Sequence, residues 1–299
     1  MERSSIPHAK HIANDTALVS IIIPYYNNVD TIRDAINSAL NQTHSNIEII
    51  VVDDGSKIPL TEVLGNQIQD LPGLTLLSQK NSGPSAARNL GAKNSNGSFF
   101  VFLDADDKLA ASYISSCLAI FDQKNDVSIV YSEAAFFGAK EGKWELPAYK
   151  FETFIFCNCI PIFAMVKRKE FFAVHMFDEY LRYNEDWDLW LRMISKFGGV
   201  YRIPEILYFY RKQHSYTSLT DLNDQENSKI SEKNYFYIFH KNFDLYEKAG
   251  AQLFHRVLRE PQYQQKYLSL RKKYYDVWYR KIFYKIKGRK HWENRTELQ

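Results

Sequence analysis

The chain has 299 residues, 45% of them hydrophobic and 24% charged, which fits a folded protein and excludes a disordered or low-complexity one. Three cysteines, Cys117, Cys157 and Cys159, are too few for a disulfide framework, and no apolar run reaches the roughly 18 residues that a bilayer-spanning helix needs. The net charge of +3 conceals a basic tail: from Lys241 on there are 15 Lys/Arg against 6 Asp/Glu, so the rest of the chain carries about −6.

Residues 1–17 form a leader segment. Met1 to Asp15 is polar without an apolar run, unlike a secretory signal, so the expected location is cytoplasmic. Val19 to Ile23 is a β-branched run ending at Pro24 and predicts a buried strand. Thr31 to Leu40 carries Ile32, Ala35, Ile36, Ala39 and Leu40 at helical spacing. Ile47 to Val52 predicts a second strand, closed by the turn residues Asp53-Asp54-Gly55-Ser56. A weaker helix over Ile58 to Ile68, a strand over Leu74 to Ser78, a helix over Ser85 to Ala92 and a strand over Phe99 to Leu103 follow. Short strands alternating with helices predict βαβ units, an α/β class and a Rossmann-like, mainly parallel sheet flanked by helices. Ligands of such sheets bind beyond the carboxyl ends of the strands. Here those ends read Pro24-Tyr25-Tyr26-Asn27, Asp53-Asp54 and Asp104-Ala105-Asp106-Asp107.

The second half is less regular. Val127 to Tyr131 predicts a strand, and Phe151 to Val166 is aromatic and apolar, interrupted by Pro161. Cys157 and Cys159 make a C-x-C, but no second Cys/His pair stands at a zinc spacing, so they read as reduced thiols. From Trp187 a helix places Trp187, Trp190, Leu191 and Ile194 on one face, the tryptophans as core, and stops at Gly198-Gly199. Asp221 to Lys233 is polar. Residues 221–299 then form a helical, basic, aromatic extension in which Tyr274, Tyr275, Trp278, Tyr279 and Ile282 recur among Arg271, Lys272, Lys273, Arg280, Lys281 and Lys285. Such a helix suits an anionic membrane surface or the flank of a catalytic domain. No nucleic-acid module is visible, so no nucleic-acid partner is expected.

The carboxylates carry the chemistry. Asp104 and Asp106, spaced i, i+2 after an apolar strand, can converge on one hard cation, with a diphosphate supplying further oxygens. A solvated acidic turn is the structural alternative. Asn184-Glu185-Asp186 precedes the Trp187 helix, where Asp186 could act as an N-cap and Glu185 favour the helix dipole.

Four segments stand in order: Val19-Ser-Ile-Ile-Ile-Pro-Tyr-Tyr-Asn27, Ile49-Ile-Val-Val-Asp-Asp-Gly-Ser56, Asn81-Ser-Gly-Pro-Ser-Ala-Ala-Arg-Asn89 and Phe102-Leu-Asp-Ala-Asp-Asp107. Together they resemble the family 2 glycosyltransferases, inverting enzymes of the GT-A fold, and in particular those of bacterial polysaccharide assembly. The resemblance runs from Val19 to about Ser218 and implies a catalytic domain over 18–220, with a nucleotide-sugar half at about 18–107 and an acceptor half at about 108–220. It implies that Pro24, Tyr26 and Asn27 frame the nucleotide and that Asp54 accepts a hydrogen bond from the base. It also places Arg88 near the donor phosphates, Asp104 at the ribose or metal, and Asp106 as the main protein ligand of Mn²⁺ or Mg²⁺. Tyr26 as packing, Asp54 as a turn former and Arg88 in a surface ion pair remain the structural alternatives.

Glu185-Asp-Trp-Asp-Leu-Trp190 resembles the segment holding the family's catalytic base. That implies Asp186 in this role, with Glu185 as fallback and Asp188 behind both. Tyr210 to Ser218 resembles the segment that closes over the donor, implying Arg211 on phosphate and His214 on metal or diphosphate. The implied reaction moves a hexose or N-acetylhexosamine from a nucleotide diphosphate, UDP by family frequency, to a hydroxyl of a glycan acceptor that is lipid-linked, for instance to undecaprenyl. A noncatalytic nucleotide-sugar-binding or scaffold protein is the alternative. A nucleotidyltransferase is disfavoured by the lack of a glycine-rich, basic phosphate loop at the first strand.

Overall fold

The structure is a computed structural model that describes residues 16–65, 73–213 and 225–247, with side chains in the last stretch from residue 233. It divides into units Met1–Asn242 and Phe243–Gln299; of the second, only the helical residues 243–247 are described. The sequence places the start of the extension at residue 221, whereas this division leaves helix 225–241 in the first unit. The tail residues from Arg271 to Lys285, and His214, lie outside the described residues.

A single sheet organises the first unit. Strands β1 (Val19–Tyr25), β2 (Ile47–Asp53), β3 (Leu74–Ser78) and β4 (Phe99–Phe102) lie in the order β3-β2-β1-β4, all parallel. Ile21, Ile22 and Ile23 of β1 and Ile50, Val51 and Val52 of β2 are inaccessible to solvent. This double-sided burial explains their unbroken apolar, β-branched runs. Strand β1 extends one residue past Pro24, because this proline still pairs in register with Val52.

Helix α1 (Ile32–Leu40) buries Ile32, Ala35, Ile36 and Ala39, the stripe the spacing predicts. Helix α2 is Leu60–Leu64 and starts two residues later than the sequence suggests; residues 66–68 of the predicted segment lie outside the described residues. Helix α3 (Pro84–Lys93) starts with proline in its first turn, where a missing N–H costs nothing. It packs on β1 and β2 so closely that a Cβ on Gly91 would lie 2.6 Å from Ile22 Cγ2.

Beyond β4 the sheet becomes mixed. It continues through β8 (Met165–Lys167), β6 (Ile129–Gly138), β9 (Val200–Lys212) and the short β5 (Lys108–Leu109), with β7 (Gly142–Trp144) on β6. Strand β6 starts two residues later than the sequence suggests and runs to Gly138, alongside β9. Their register shifts around Ser132 and Glu133, opposite Pro204, whose missing donor suits a bulge. Helix α4 (Tyr113–Gln123) covers β6 and β9, while α5 (Phe151–Phe154) and α6 (Arg168–Ala173) flank β8 in sequence. Helix α7 (Glu185–Phe197) carries the second acidic cluster and ends at Gly198, whose φ of 78° favours glycine. Helix α8 (Gln225–Lys241) completes the unit.

Candidate active site

The site is assembled at the carboxyl ends of β1, β2 and β4, as the parallel topology requires. At the end of β1, Tyr26 is 48% exposed, Pro24 is half-buried and Asn27 adopts a left-handed φ of 58°. Asn27 is tied to the β2 turn twice: its Oδ1 accepts from Lys57 N at 2.9 Å, and its own N–H donates to Ser56 Oγ at 3.0 Å. Tyr26 is therefore a surface residue, not part of the packing.

Asp53 and Asp54 are buried and fully engaged. Asp53 accepts from Ser56 N at 2.9 Å and Leu60 N at 3.0 Å. Asp54 accepts from Gln79 Nε2 at 2.7 Å and from the N–H groups of Ser82 and Gly83, both at 2.8 Å. Three donors occupy most of what one carboxylate can accept. Asp54 therefore ties the β2 end to the loop before α3.

Arg88, on the buried face of α3, joins the two acidic clusters. Its Nη2 donates to Asp104 Oδ1 at 2.7 Å and its Nη1 to Glu185 Oε1 at 2.8 Å. Burial works against the guanidinium charge, but Asp104 and then Glu185 outweigh it and hold the group protonated. The surface ion pair considered from sequence is thus a buried, doubly paired cation, with side-chain exposure of 5%. Glu185 and Asp104 are 81 residues apart in the chain, yet one guanidinium spans them.

On the donor side, Asp106 is half-buried, and burial followed by the neighbouring charge of Asp104 pushes its carboxyl up to about 6. Asp107 is buried and accepts from Tyr208 Oη at 2.6 Å and Arg211 N at 2.7 Å. Arg211 also donates through Nε to the Asp106 carbonyl at 2.7 Å and through Nη2 to Asp34 at 2.6 Å, with its guanidinium 4.3 Å from the Phe137 ring centre. Strand β9 and helix α1 thus clamp the acidic loop through one arginine. Among the described residues no group of three or more His, Cys, Asp or Glu is placed to hold a metal ion.

On the acceptor side, Asp186 is not the N-cap of α7. Asn184 holds that position with a φ of 61°, and Asp186 sits in the first turn. Its Oδ1 accepts from Trp187 N at 2.7 Å and its Oδ2 from Asn158 Nδ2 at 2.9 Å. Burial, then the charge of Glu185, pushes its carboxyl up to about 7, against the pull of the Trp187 N–H, Arg88 and Asn158. A carboxylate poised near neutrality and still partly accessible can exchange a proton with a bound hydroxyl.

Asp188 cannot do so. It is fully buried and taken by Arg192 at 2.7 Å, Lys241 at 2.9 Å and Asn242 at 3.2 Å. Trp187 and Trp190 are core, their indole N–H groups donating to the Phe154 and Ile160 carbonyls. Cys157 is exposed and Cys159 buried, both as free thiols.

Sequence reasoning missed Asn158, Asp34, Tyr208 and the pairing of Arg88 with Glu185. The one local signal was a polar Asn158 inside the otherwise apolar run 154–166.

Comparison with known proteins bears on this geometry. The family model described as glycosyl transferase family 2 matches residues 20–182. An uncharacterized glycosyltransferase of Rickettsia typhi is 33% identical over 224 residues, covering 70% of this chain and 68% of its own length. One from Rickettsia conorii is 34% identical over 202 residues, covering 64% of this chain and 33% of its own. This chain thus spans about a third of the length of that relative. The minor teichoic acid biosynthesis protein GgaA of Bacillus subtilis is 29% identical over 239 residues, covering 75% of this chain and 52% of its own.

Among solved structures, S. aureus TarS superimposes with a TM-score of 0.56 at 18% identity, covering 76% of this chain and 43% of TarS. TarS 1–349 in complex with UDP-GlcNAc gives 0.57 at 17% identity, covering 76% of this chain and 72% of that one. At such identity the likeness speaks to the fold, which is the GT-A type with helices on a mostly parallel sheet.

Proposed function

The chain belongs to glycosyl transferase family 2, and from that premise we propose that it is an inverting hexosyltransferase using a nucleotide diphosphate sugar, UDP-linked, and a glycan hydroxyl as acceptor. The observation that carries this reading is the Arg88 bridge, which sets Asp104 and the Glu185-Asp186 pair on either side of one buried cation. One guanidinium thereby joins a donor-side carboxylate to the acceptor-side cluster.

In the proposed reaction the acceptor oxygen forms a bond to the anomeric carbon as the bond from that carbon to the diphosphate oxygen breaks. Asp186 takes the hydroxyl proton. One displacement inverts the configuration, and no second nucleophile is needed. Pro24, Tyr26 and Asn27 frame the nucleotide, Asp54 orders the loop beside it, and Arg88 serves the donor by holding Asp104. Arg211 holds the acidic loop from the other side.

Two carboxylates, Asp104 and Asp106, could take part in holding Mn²⁺ or Mg²⁺. Asp106 has a carboxylate destabilised by burial and by Asp104, which a cation would relieve, and the second oxygen of Asp104 is not taken by Arg88. Such a cation would supply charge stabilisation to the leaving diphosphate. His214 is proposed as a further ligand.

The relatedness to GgaA, a minor teichoic acid biosynthesis protein, supports a role in bacterial polymer synthesis, and the acceptor proposed with it is a glycan carried on a lipid such as undecaprenyl. Among the described residues no helix is long and apolar enough to cross a membrane. A cytoplasmic enzyme would reach such an acceptor through its basic aromatic extension. Reversing the charges of Lys272, Lys273, Lys281 and Lys285 should then release it from anionic vesicles, and unchanged binding would defeat that part of the reading.

The test is a screen for nucleotide diphosphate release, UDP-GlcNAc first, with Mn²⁺ or Mg²⁺ and with or without glycan acceptors. Asp186→Asn should lower transfer by about 10²–10⁴-fold, the usual worth of a general base, and retain donor binding. Asp106→Ala should lose both transfer and metal-dependent donor binding. Silence with every donor would refute the enzyme.

A further inference from the structure

Asn158 lies between α5 and β8, on the loop that passes over the start of α7. Its Oδ1 accepts the Ile160 N–H at 3.0 Å. That backbone donor settles which way the side-chain amide points, because a reversed amide would set two donors against each other. The Nδ2 group is therefore left to face Asp186 Oδ2, at 2.9 Å.

The opposite oxygen of Asp186 is held by the Trp187 N–H at 2.7 Å. The carboxylate is thus gripped by one N–H on each oxygen, and each oxygen retains a lone pair for a proton. The charged and titratable groups around it come from three other places. Glu185 precedes it on α7, Arg88 faces it from α3, and Tyr235 of α8 stands within electrostatic reach of both Asp186 and Cys157. The Tyr235 ring lies 5.0 Å from that of Trp187, the residue after Asp186. Among these neighbours Asn158 is the only uncharged side chain that donates to the carboxylate. A neutral donor favours the ionised form without forming an ion pair that would quench its basicity.

We infer that Asn158 is a positioning residue for the transfer reaction: its amide, locked by Ile160, fixes the orientation of Asp186 and favours its charged state. This rests on the reading of Asp186 as the base. The competing role is purely local, since the Asn158–Ile160 contact alone would shape the loop.

Asn158→Asp separates the two. It keeps the volume and the Oδ1 that accepts from Ile160, and replaces the donor facing Asp186 by an acceptor. Asn158→Ala removes both contacts and serves as the second variant. In the full chain without substrate, the carboxyl carbon of Asp186 is titrated by ¹³C NMR, with Asp186→Asn as the assignment control. Asn158→Asp should raise the Asp186 midpoint by about one pH unit or more, as a second carboxyl at hydrogen-bond distance does, and Asn158→Ala by less. The acidic limb of UDP release from UDP-GlcNAc, or from the donor that the screen selects, should move by the same amount. Donor KM should change less than kcat.

An unmoved midpoint in both variants, with Asp186→Asn inactive, would overturn the role of Asn158 and leave the base in place. Full transfer by Asp186→Asn would overturn the base, and Asn158 with it.

Discussion

The two acidic regions of this protein hold their carboxylates in opposite ways. At the end of β2, Asp53 and Asp54 are held by neutral donors, four of them backbone N–H groups. At α7, the carboxylates meet side chains drawn from across the chain: Arg88 for Glu185, Asn158 for Asp186, and Arg192, Lys241 and Asn242 for Asp188. Backbone donors come with a turn and are specified where the turn is. Side-chain partners exist only once the whole unit has closed. The turn after β2 is therefore held mainly by backbone donors and the α7 cluster mainly by side chains, while Arg88 ties the donor-side Asp104 to Glu185 of α7.

The largest effect should follow from breaking that shared residue. Arg88→Met leaves Asp104 and Glu185 without their cation, and removing one partner of a buried pair costs about 3–5 kcal/mol. For a unit of this size that corresponds to a melting point lower by roughly 10 °C, with transfer abolished. Arg88→Lys should recover little, since Arg88 reaches its two carboxylates with two different nitrogens of a planar fork, a span that one ammonium nitrogen does not match. A melting point within 2 °C of wild type would show that the two sides are not joined here.

A smaller but still local loss is expected for Asp54→Ala. It strands the N–H groups of Ser82 and Gly83 and the Gln79 amide, at about 2–3 kcal/mol in chemical denaturation. If the turn after β2 is held on its own, hydrogen exchange should quicken at 79–83 and stay unchanged at α7. Loosening of both would break the contrast.

The same contrast explains what could be read from the sequence. Strands β1, β2 and β4 were legible because they are buried on both faces and need no partner to announce themselves. Asp104-x-Asp106 was legible because it follows such a strand directly. Strand β6 was misplaced at both ends, since a mixed sheet with a bulge opposite Pro204 gives neither a continuous apolar run nor a clean alternation. Asp186 looked like a cap because aspartate favours that position, but the cap went to Asn184 in a left-handed conformation that asparagine tolerates. Nothing near Glu185 points to Arg88, which lies 97 residues earlier. Likewise Asn158 carries no motif, and its meaning comes only from Asp186 and Ile160 closing around it.

Helix α8 offers the finest test of the assembled side. Lys241 donates to Asp178 at 2.6 Å and to the fully buried Asp188 at 2.9 Å, and the Tyr237 hydroxyl adds a second bond to Asp178 at 2.9 Å. Lys241→Met keeps the apolar stem and removes the charge, while Arg192 and Asn242 still satisfy Asp188. The cost should therefore be moderate, about 1–2 kcal/mol at pH 7, well below that of Arg88→Met. Its pH dependence has a definite sign. Burial works to raise the Asp178 carboxyl, but Lys241, the Tyr180 N–H and Tyr237 outweigh it and hold the group below the usual carboxylate range. A folded-state value below the unfolded one of about 3.9 means that the folded state binds fewer protons. The stabilisation is then complete above that value and is lost as pH falls through the depressed one. Melting curves of wild type and Lys241→Met should differ by a constant amount from pH 7 down to about 4.5, and converge only below about 3.9. Convergence already at pH 6 would mean that the charge answering to Lys241 is not that of Asp178.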